Sequence, residues 1–491
     1  MKVGVIGAGI GGIAAAIRLR LLGHEVDVYE NNSYPGGKLS EINIRDFRFD
    51  AGPSLFTLPN LVDELFELAG ENPQDHFKYI RLPVSCKYFF EDRTTINMFD
   101  DREQLLKEIR EKTGERPKRI SKALKHSERL YNTLSGLFLH RSLHDWRTWF
   151  NLHAFKAYLR LPLLRFWRTL NGLNQSRFKD PKIVQIFNRF ATYNGSNPYQ
   201  TPATMTLIPH LELNLGAYFP EKGMNSITQS LFDLAKRLGV NFYFNKRVEK
   251  LIINELKVKG IQCDQYEEYY DIVVSNMDVH NTYIKLMPEM PRPDILKKEK
   301  SSSAVIFYWA IKKKFSQLDL HNIFFTKNYE EEFNYIFKQK KIYKDPTVYI
   351  NITSKYKKDD APENCENWFV MINVPSNIGE GHDWDQMVAE ARKNVIRKIS
   401  GILDLDIANY IIGEEVLDPI KIEFKTSSSG GALYGSSSNS MISSFLRHPN
   451  FSSDLENLFF VGGSVHPGGG IPLSLLSAKI TTNLIQDTFS G

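Results

Sequence analysis

Hydrophobic and polar positions change their period several times along the chain. The opening residues run through a β-branched stretch (Val3, Val5, Ile6), a set of glycines and helically spaced apolar positions (Ile13, Ala16, Ile17, Leu21) into a second strand over 26–30, which predicts a βαβ start. Alternation over Lys87–Phe90 and Thr94–Phe99, joined by Glu91–Arg93, predicts a hairpin within 76–100. From 101 to about 190 the spacing is helical, first with charged faces and then through a segment rich in Trp, Arg and Leu that ends near Pro181. An amphipathic helix over 224–238 closes at Gly239, and strands over 240–252 and 271–275 resume the α/β pattern. One domain is therefore expected to be assembled from separated pieces of chain. Stretches 303–312, 347–352 and 367–374 predict a second sheet, covered by a helix over 385–400. A polar, flexible run over 426–440 leads to a buried strand at 458–461, a glycine-rich turn over 462–470 and a last helix from Pro472 to about 487. There is no internal repeat.

Composition narrows the class. A chain of 491 residues exceeds the size of one growing core, so two or three packed domains are expected. Hydrophobic residues at 42% and charged residues at 24% are ordinary for a globular protein, and no run is apolar for long enough to cross a bilayer as a helix. Lys and Arg number 62 against 57 acids, and the resulting +5 is dispersed, which gives no case for nucleic acid. Cys86, Cys263 and Cys365 have neither CxxC nor Cys/His spacing, so a reducing compartment and no structural metal are expected. Lys2 followed by the uncharged run Val3–Ile17 imitates a secretory signal, but Gly4, Gly7, Gly9, Gly11 and Gly12 weaken such a helix and no cleavage is expected.

Chemistry begins with Gly7-Ala8-Gly9-Ile10-Gly11-Gly12, a GxGxxG segment between a predicted strand and a predicted helix. Gly7 permits a tight turn, Gly9 lets the backbone approach a pyrophosphate, Gly12 lets helix and strand pack closely, and the helix start attracts phosphates. Glu30 ends the second strand, where a carboxylate accepts hydrogen bonds from a ribose. A glycine-rich turn without ligand is the alternative, and strand, helix and acid in register weigh against it. FAD and NAD share this opening. Four further segments bear on the choice: Pro35-Gly36-Gly37-Lys38, Phe49-Asp50-Ala51-Gly52-Pro53-Ser54, Val461-Gly462-Gly463-Ser464, and Gly468 to Leu473 at the start of the last helix. Pro472 suits a first helical position, and the helix behind it would direct free amides and a positive dipole at negative charge arising on a flavin ring. An ordinary capped helix is the other reading of that segment.

Taken together, these segments resemble the phytoene-desaturase branch of the flavin amine-oxidase superfamily over nearly the whole chain. Within it, Phe190–Tyr199, Thr201–Thr204, Pro209–Glu212 and Glu221–Met224 resemble the 1-hydroxycarotenoid 3,4-desaturases more than the phytoene enzymes. The resemblance implies an α/β fold with a Rossmann-type FAD-binding domain built from 1–75, 222–290 and 425–491, a mixed-sheet substrate domain from 76–100 and 291–424, and a helical, membrane-facing subdomain over 101–221. It also implies FAD contacts from Gly7 to Gly12, Glu30, Gly36, Gly37, Lys38, Gly52, Pro53, Ser54, Val248, Gly463, Ser464, Ile471, Pro472 and Leu473. Lys38 departs from the arginine of many relatives and cannot make the same forked contact.

A carotenoid substrate follows from the same resemblance, with loss of two hydrogens from adjacent carbons, one as hydride to flavin. Delocalisation of the resulting cation along the polyene lowers the need for a strong base, so the site should mainly orient the chain and exclude water. No catalytic residue is assigned. Tyr193, Tyr199, Tyr218 and Phe219 are candidates to line a substrate tunnel, and His466 is the titratable candidate on the flavin-side loop, with a structural role as its alternative. Trp146, Trp149 and Trp167 with Arg147, Lys156, Arg160 and Arg165 give 141–175 the composition of an interfacial segment, or of a core helix with a solvated basic face. The expected location is cytoplasmic and peripheral on the cytoplasmic membrane. Other readings are a phytoene or dehydrosqualene desaturase, an amine oxidase, and a lipid-binding escort of the GDP-dissociation-inhibitor type.

Overall fold

The computed structural model describes residues 1–149, 165, 167–379, 381–440 and 446–489. Lys156 and Arg160 of the proposed interfacial segment lie outside the described residues.

The N-terminal pattern builds a five-stranded, wholly parallel sheet in the order Leu458–Phe460, Ile272–Ser275, Lys2–Ile6, Glu25–Tyr29, Asn241–Tyr243. Val3, Val5, Val26, Val28 and Val274 are buried, as expected of strands covered on both faces. Helix Ile10–Leu21 covers one of those faces, and the closing helix Ile471–Phe489 packs along it. This sheet is discontinuous in sequence, since its five strands come from the start, the middle and the end of the chain. The expected single strand over 240–252 is instead two. Asn245 takes a positive φ of 54°, and Val248–Asn254 belongs to a separate antiparallel meander with Lys257–Cys263 and Tyr266–Tyr269.

A second, seven-stranded sheet runs Ile411–Leu417, Ser303–Ile311, Glu366–Val374, Val348–Asn351, His321–Phe324, Val84–Phe89, Thr95–Phe99. It is mixed because His321–Phe324 pairs parallel to Val84–Phe89 while its other pairings are antiparallel. Helix Trp384–Leu403 covers one face through Ala391, Val395 and Ile399. The opposite face presents a register row, Ile306 opposite Met371, Met371 opposite Tyr349 and Tyr349 opposite Ile323, with His321 two residues before Ile323 on the same side.

Helices Arg102–Thr113, Pro117–Leu134, Leu170–Arg177 and Pro181–Arg189 pack beside this sheet. The 426–440 run, expected to be flexible, is instead held. Ser428 to Ala432 are buried, and the Ser303 hydroxyl donates to the Gly431 carbonyl.

Candidate functional site

A cavity of about 1170 Å3 passes between the two sheets. It exceeds the roughly 300–1,000 Å3 of a single small-molecule site, so it has room for a cofactor and part of a second molecule. Gly7, Gly9, Gly11 and Glu30 from the first turn line it together with Gly463, Ser464, Gly469, Ile471, Pro472 and Leu473 from the closing segment. The two ends of the chain touch: a Cβ on Gly11 would lie 3.2 Å from the Gly462 Cα.

The first turn is built by necessity of glycine. Gly7 holds φ +97° while its amide donates to the Tyr29 carbonyl, and a Cβ on Gly12 would stand 2.2 Å from the Gly7 carbonyl oxygen. Gly12 and Ala8 do not reach the cavity wall. Gly12 packs helix on strand, and the Ala8 amide donates to Glu30 Oε2 at 2.9 Å. Glu30 Oε1 accepts from the Asn32 amide at 2.8 Å. Burial raises this carboxyl above its ordinary range, with the Asn32 and Ala8 amides opposing. The same carboxylate also lines the cavity, where a diol is a suitable donor to it. Val248 opens its strand beside Glu30, at the same end of the cavity.

Gly36 and Gly37 run beside the first turn, the Gly36 amide donating to the Ala8 carbonyl at 2.8 Å. Lys38 follows, and its ammonium donates to the carbonyls of Ala432 (3.1 Å) and Leu433 (2.9 Å), so it pins the 426–440 run while facing the cavity. Desolvation lowers its pKa to about 8, opposed by Asp278. Gly52 cannot be anything larger, because a Cβ there would fall 1.8 Å from the Lys38 carbonyl oxygen. Pro53 and Ser54 continue along the wall, and Ser54 Oγ shares a hydrogen bond with the Tyr349 hydroxyl at 2.7 Å. Asp50 of the same segment is buried, paired with Arg48 Nη2 at 2.8 Å, and accepts from the amides of Met224 and Asn225 at the start of helix Asn225–Arg237.

The closing helix begins at Ile471, one residue before the expected Pro472. Beside it lies Arg447, buried, its Nη1 donating to the Tyr434 carbonyl at 2.7 Å. No carboxylate among the described residues pairs with it, and desolvation lowers its pKa to about 10. No sequence motif marked this cation.

The substrate candidates separate. Tyr193 lines the cavity. Tyr218 and Phe219 do not: they sit in a short strand paired with Tyr79–Arg81, where Phe219 fills a small core with Leu82, Ala217 and Leu320. Tyr199 packs on Phe333 instead. His466 is fully buried behind the loop, its Nε2 against the Arg141 carbonyl at 2.9 Å and its ring edge-on to Phe138. Burial lowers its pKa to about 4. It is a neutral structural histidine that does not line the cavity, because its ring is turned onto Arg141 and Phe138.

Sequence reasoning missed a polar cluster on the cavity wall. Arg189 Nη2 reaches Glu212 Oε2 at 3.1 Å and the Tyr193 oxygen at 3.2 Å, Tyr193 donates to Glu212, and Ser85 Oγ donates to Glu212 Oε1 at 3.0 Å. His321 Nδ1 meets the Tyr349 hydroxyl at 2.7 Å. The rest of the wall beside it is apolar, formed by Ile306, Ile323, Phe369 and Met371.

A parallel sheet with a glycine-built first turn, joined through one long cavity to a mixed sheet, defines a dinucleotide-binding protein. More narrowly, the chain belongs to the flavin-containing amine oxidoreductases, whose family model matches residues 10–485. Its cofactor is FAD, which the glycine-built first turn, the cavity-lining carboxylate of Glu30 and the cavity size fit. A 1-hydroxycarotenoid 3,4-desaturase of Flavobacterium sp. (strain P99-3) is 50% identical over 488 residues, 99% of both chains. A 4,4'-diapolycopene oxygenase of Methylomonas sp. is 30% identical over 489 residues, 99% of this chain and 98% of that one. Among solved structures, an oxidoreductase from Methanosarcina mazei shares the fold with a TM-score of 0.62 at 14% identity, covering 99% of this chain and 100% of its own. No helix among the described residues is long and apolar enough to cross a membrane.

Proposed function

We propose that the protein desaturates a 1-hydroxylated carotenoid, introducing the C3–C4 double bond. The observation that carries this reading is the near full-length, 50% identity to a 1-hydroxycarotenoid 3,4-desaturase, joined to a cavity whose second half is apolar. When bound, FAD would supply the two-electron oxidant by accepting a hydride from one carbon, and the proton of the neighbouring carbon would leave to solvent. Gly7, Gly9, Gly11, Glu30, Gly36, Gly37, Gly52, Pro53, Ser54 and Val248 hold the cofactor from the N-terminal side, and Gly463, Ser464, Ile471, Pro472 and Leu473 hold it from the closing side. Lys38 acts one step removed, by fixing the loop that carries Leu433 and Tyr434. Ile306, Ile323, Phe369 and Met371 bind the hydrocarbon and exclude water, which suits a reaction whose conjugated cation needs no strong base.

Residues 141–175 meet a membrane surface, from which a carotenoid must be drawn. Trp167 is 64% exposed and Arg165 is also exposed, the pairing of indole and cation that favours a headgroup layer.

Expression in cells that make a 1-hydroxylated carotenoid tests the reading. The expected product has two hydrogens fewer and absorbs to the red of its precursor. Conversion of phytoene alone would contradict it.

A further inference from the structure

We propose that the polar cluster formed by His321, Tyr193 and the Arg189–Glu212 pair is a hydroxyl-binding subsite that receives the C1 hydroxyl and so fixes which carbon–carbon bond lies against the cofactor. This deepens the function proposed above and rests on it.

The cluster is poorly matched to a plain hydrocarbon. His321 Nε2, Arg189 Nε and the Tyr88 hydroxyl are buried without a hydrogen-bond partner. Each such orphan costs about 1–3 kcal/mol, an expense a structural ion pair has no reason to carry. Nor is the cluster needed to tie its helices together, since Ile183, Ile186, Phe187 and Phe190 already seat that segment in apolar packing.

Its donors and acceptors match one hydroxyl. Asn351 Nδ2 lies 3.2 Å from His321 Nδ1, and an amide nitrogen only donates, so Nδ1 accepts and Nε2 carries the hydrogen. Burial lowers the His321 pKa to about 3, with Arg189 contributing, so the ring is neutral and Nε2–H is a fixed donor. Tyr193 gives its own hydrogen to Glu212 and already accepts from Arg189 Nη2 at 3.2 Å, so a substrate hydroxyl would use the second lone pair of its oxygen, and burial raises its pKa far above the ordinary phenol value. A substrate hydroxyl thus accepts from His321 and donates to Tyr193.

Position completes the argument. His321 is bonded to Tyr349, and Tyr349 to Ser54, which stands directly after Gly52 and Pro53 on the cofactor side of the wall. A hydroxyl held at this end of the apolar row leaves C3 only two bonds from the anchored carbon, so anchoring C1 fixes where the C3–C4 bond lies along the wall.

The test uses purified, FAD-loaded protein and two substrates of one carbon skeleton, an acyclic carotenoid with the C1 hydroxyl and its counterpart with hydrogen there. The quantity read is the ratio of kcat/KM values. The wild type should favour the hydroxylated compound by at least about 100-fold, because a site built for a hydroxyl leaves buried groups unpaired with the other ligand. In Tyr193→Phe, which removes one oxygen atom, and in His321→Leu, that ratio should fall about tenfold. A ratio unchanged in both variants, or a wild type that converts the two substrates equally well, overturns the subsite and leaves the desaturase reading standing. A wild type that converts neither overturns both.

Discussion

Two charged groups stand on the cavity wall, the Glu30 carboxylate buried and the Lys38 ammonium half-buried. Glu30 accepts from the amides of Ala8 and Asn32 and also lines the cavity. Replacing it by alanine should weaken FAD binding by about 1.5–3 kcal/mol, roughly 10- to 150-fold, as read by titration of the FAD-free protein. An unchanged Kd would remove Glu30 from the cofactor site. Lys38 has a pKa of about 8 in the fold against 10.5 when free. Between those values the folded chain holds fewer protons than the unfolded one, so the burden of burying the ammonium lifts as pH rises from 8 to 10.5. Chemical unfolding across that window should therefore show the wild type gaining on Lys38→Met by up to roughly 3 kcal/mol, and a flat difference would contradict the depressed value. Gly7 to Gly12, Glu30, Gly36 and Gly52 were legible in the sequence because backbone sterics and a ribose-binding acid leave local signatures. Of the Arg189–Glu212–Tyr193 cluster only Tyr193 was legible, because Ser85, Arg189, Glu212 and His321 meet only through folding and carry no shared spacing.

At the scale of elements, one carboxylate joins the two halves of the cofactor region. Asp50 ends a short strand, binds Arg48 and caps helix Asn225–Arg237 through the amides of Met224 and Asn225. Asp50→Ala leaves the half-buried Arg48 with fewer partners and the helix start bare, and should lower unfolding free energy by about 3–5 kcal/mol in denaturant titration. A loss below about 0.5 kcal/mol would show the helix start to be held by other contacts. Strands with strong alternation or long apolar runs, such as Ser303–Ile311 and Glu366–Val374, were visible from sequence. Ile411–Leu417 was not, since it is an edge strand carrying Glu414 and Glu415, and neither was the four-residue His321–Phe324. The serine- and glycine-rich run at 426–440 reads as a loop by composition, yet Lys38 and Ser303 hold its backbone carbonyls. Side chains far away in sequence supply that order, which no local pattern records.

The whole molecule is organised around one shared space. The parallel sheet brings the first and last segments of the chain to one end of it, and the mixed sheet lays a row of apolar side chains along the other. Arg447 and the start of helix Ile471–Phe489 add positive potential where a bound flavin would gain negative charge. Arg447→Gln should lower the midpoint potential of the bound flavin by about 30 mV or more, equivalent to about 1.4 kcal/mol for two electrons, and an unshifted potential in a redox titration would place the cation elsewhere. The central claim is that FAD held in this cavity takes its electrons directly from a hydroxylated polyene. Mixing the FAD-loaded protein with a 1-hydroxylated carotenoid without oxygen, and following the spectrum, tests it most directly. The account predicts loss of the oxidised-flavin band in step with a red shift of the polyene, one new double bond for each flavin reduced. A flavin that stays oxidised while the bound carotenoid remains unchanged would contradict it.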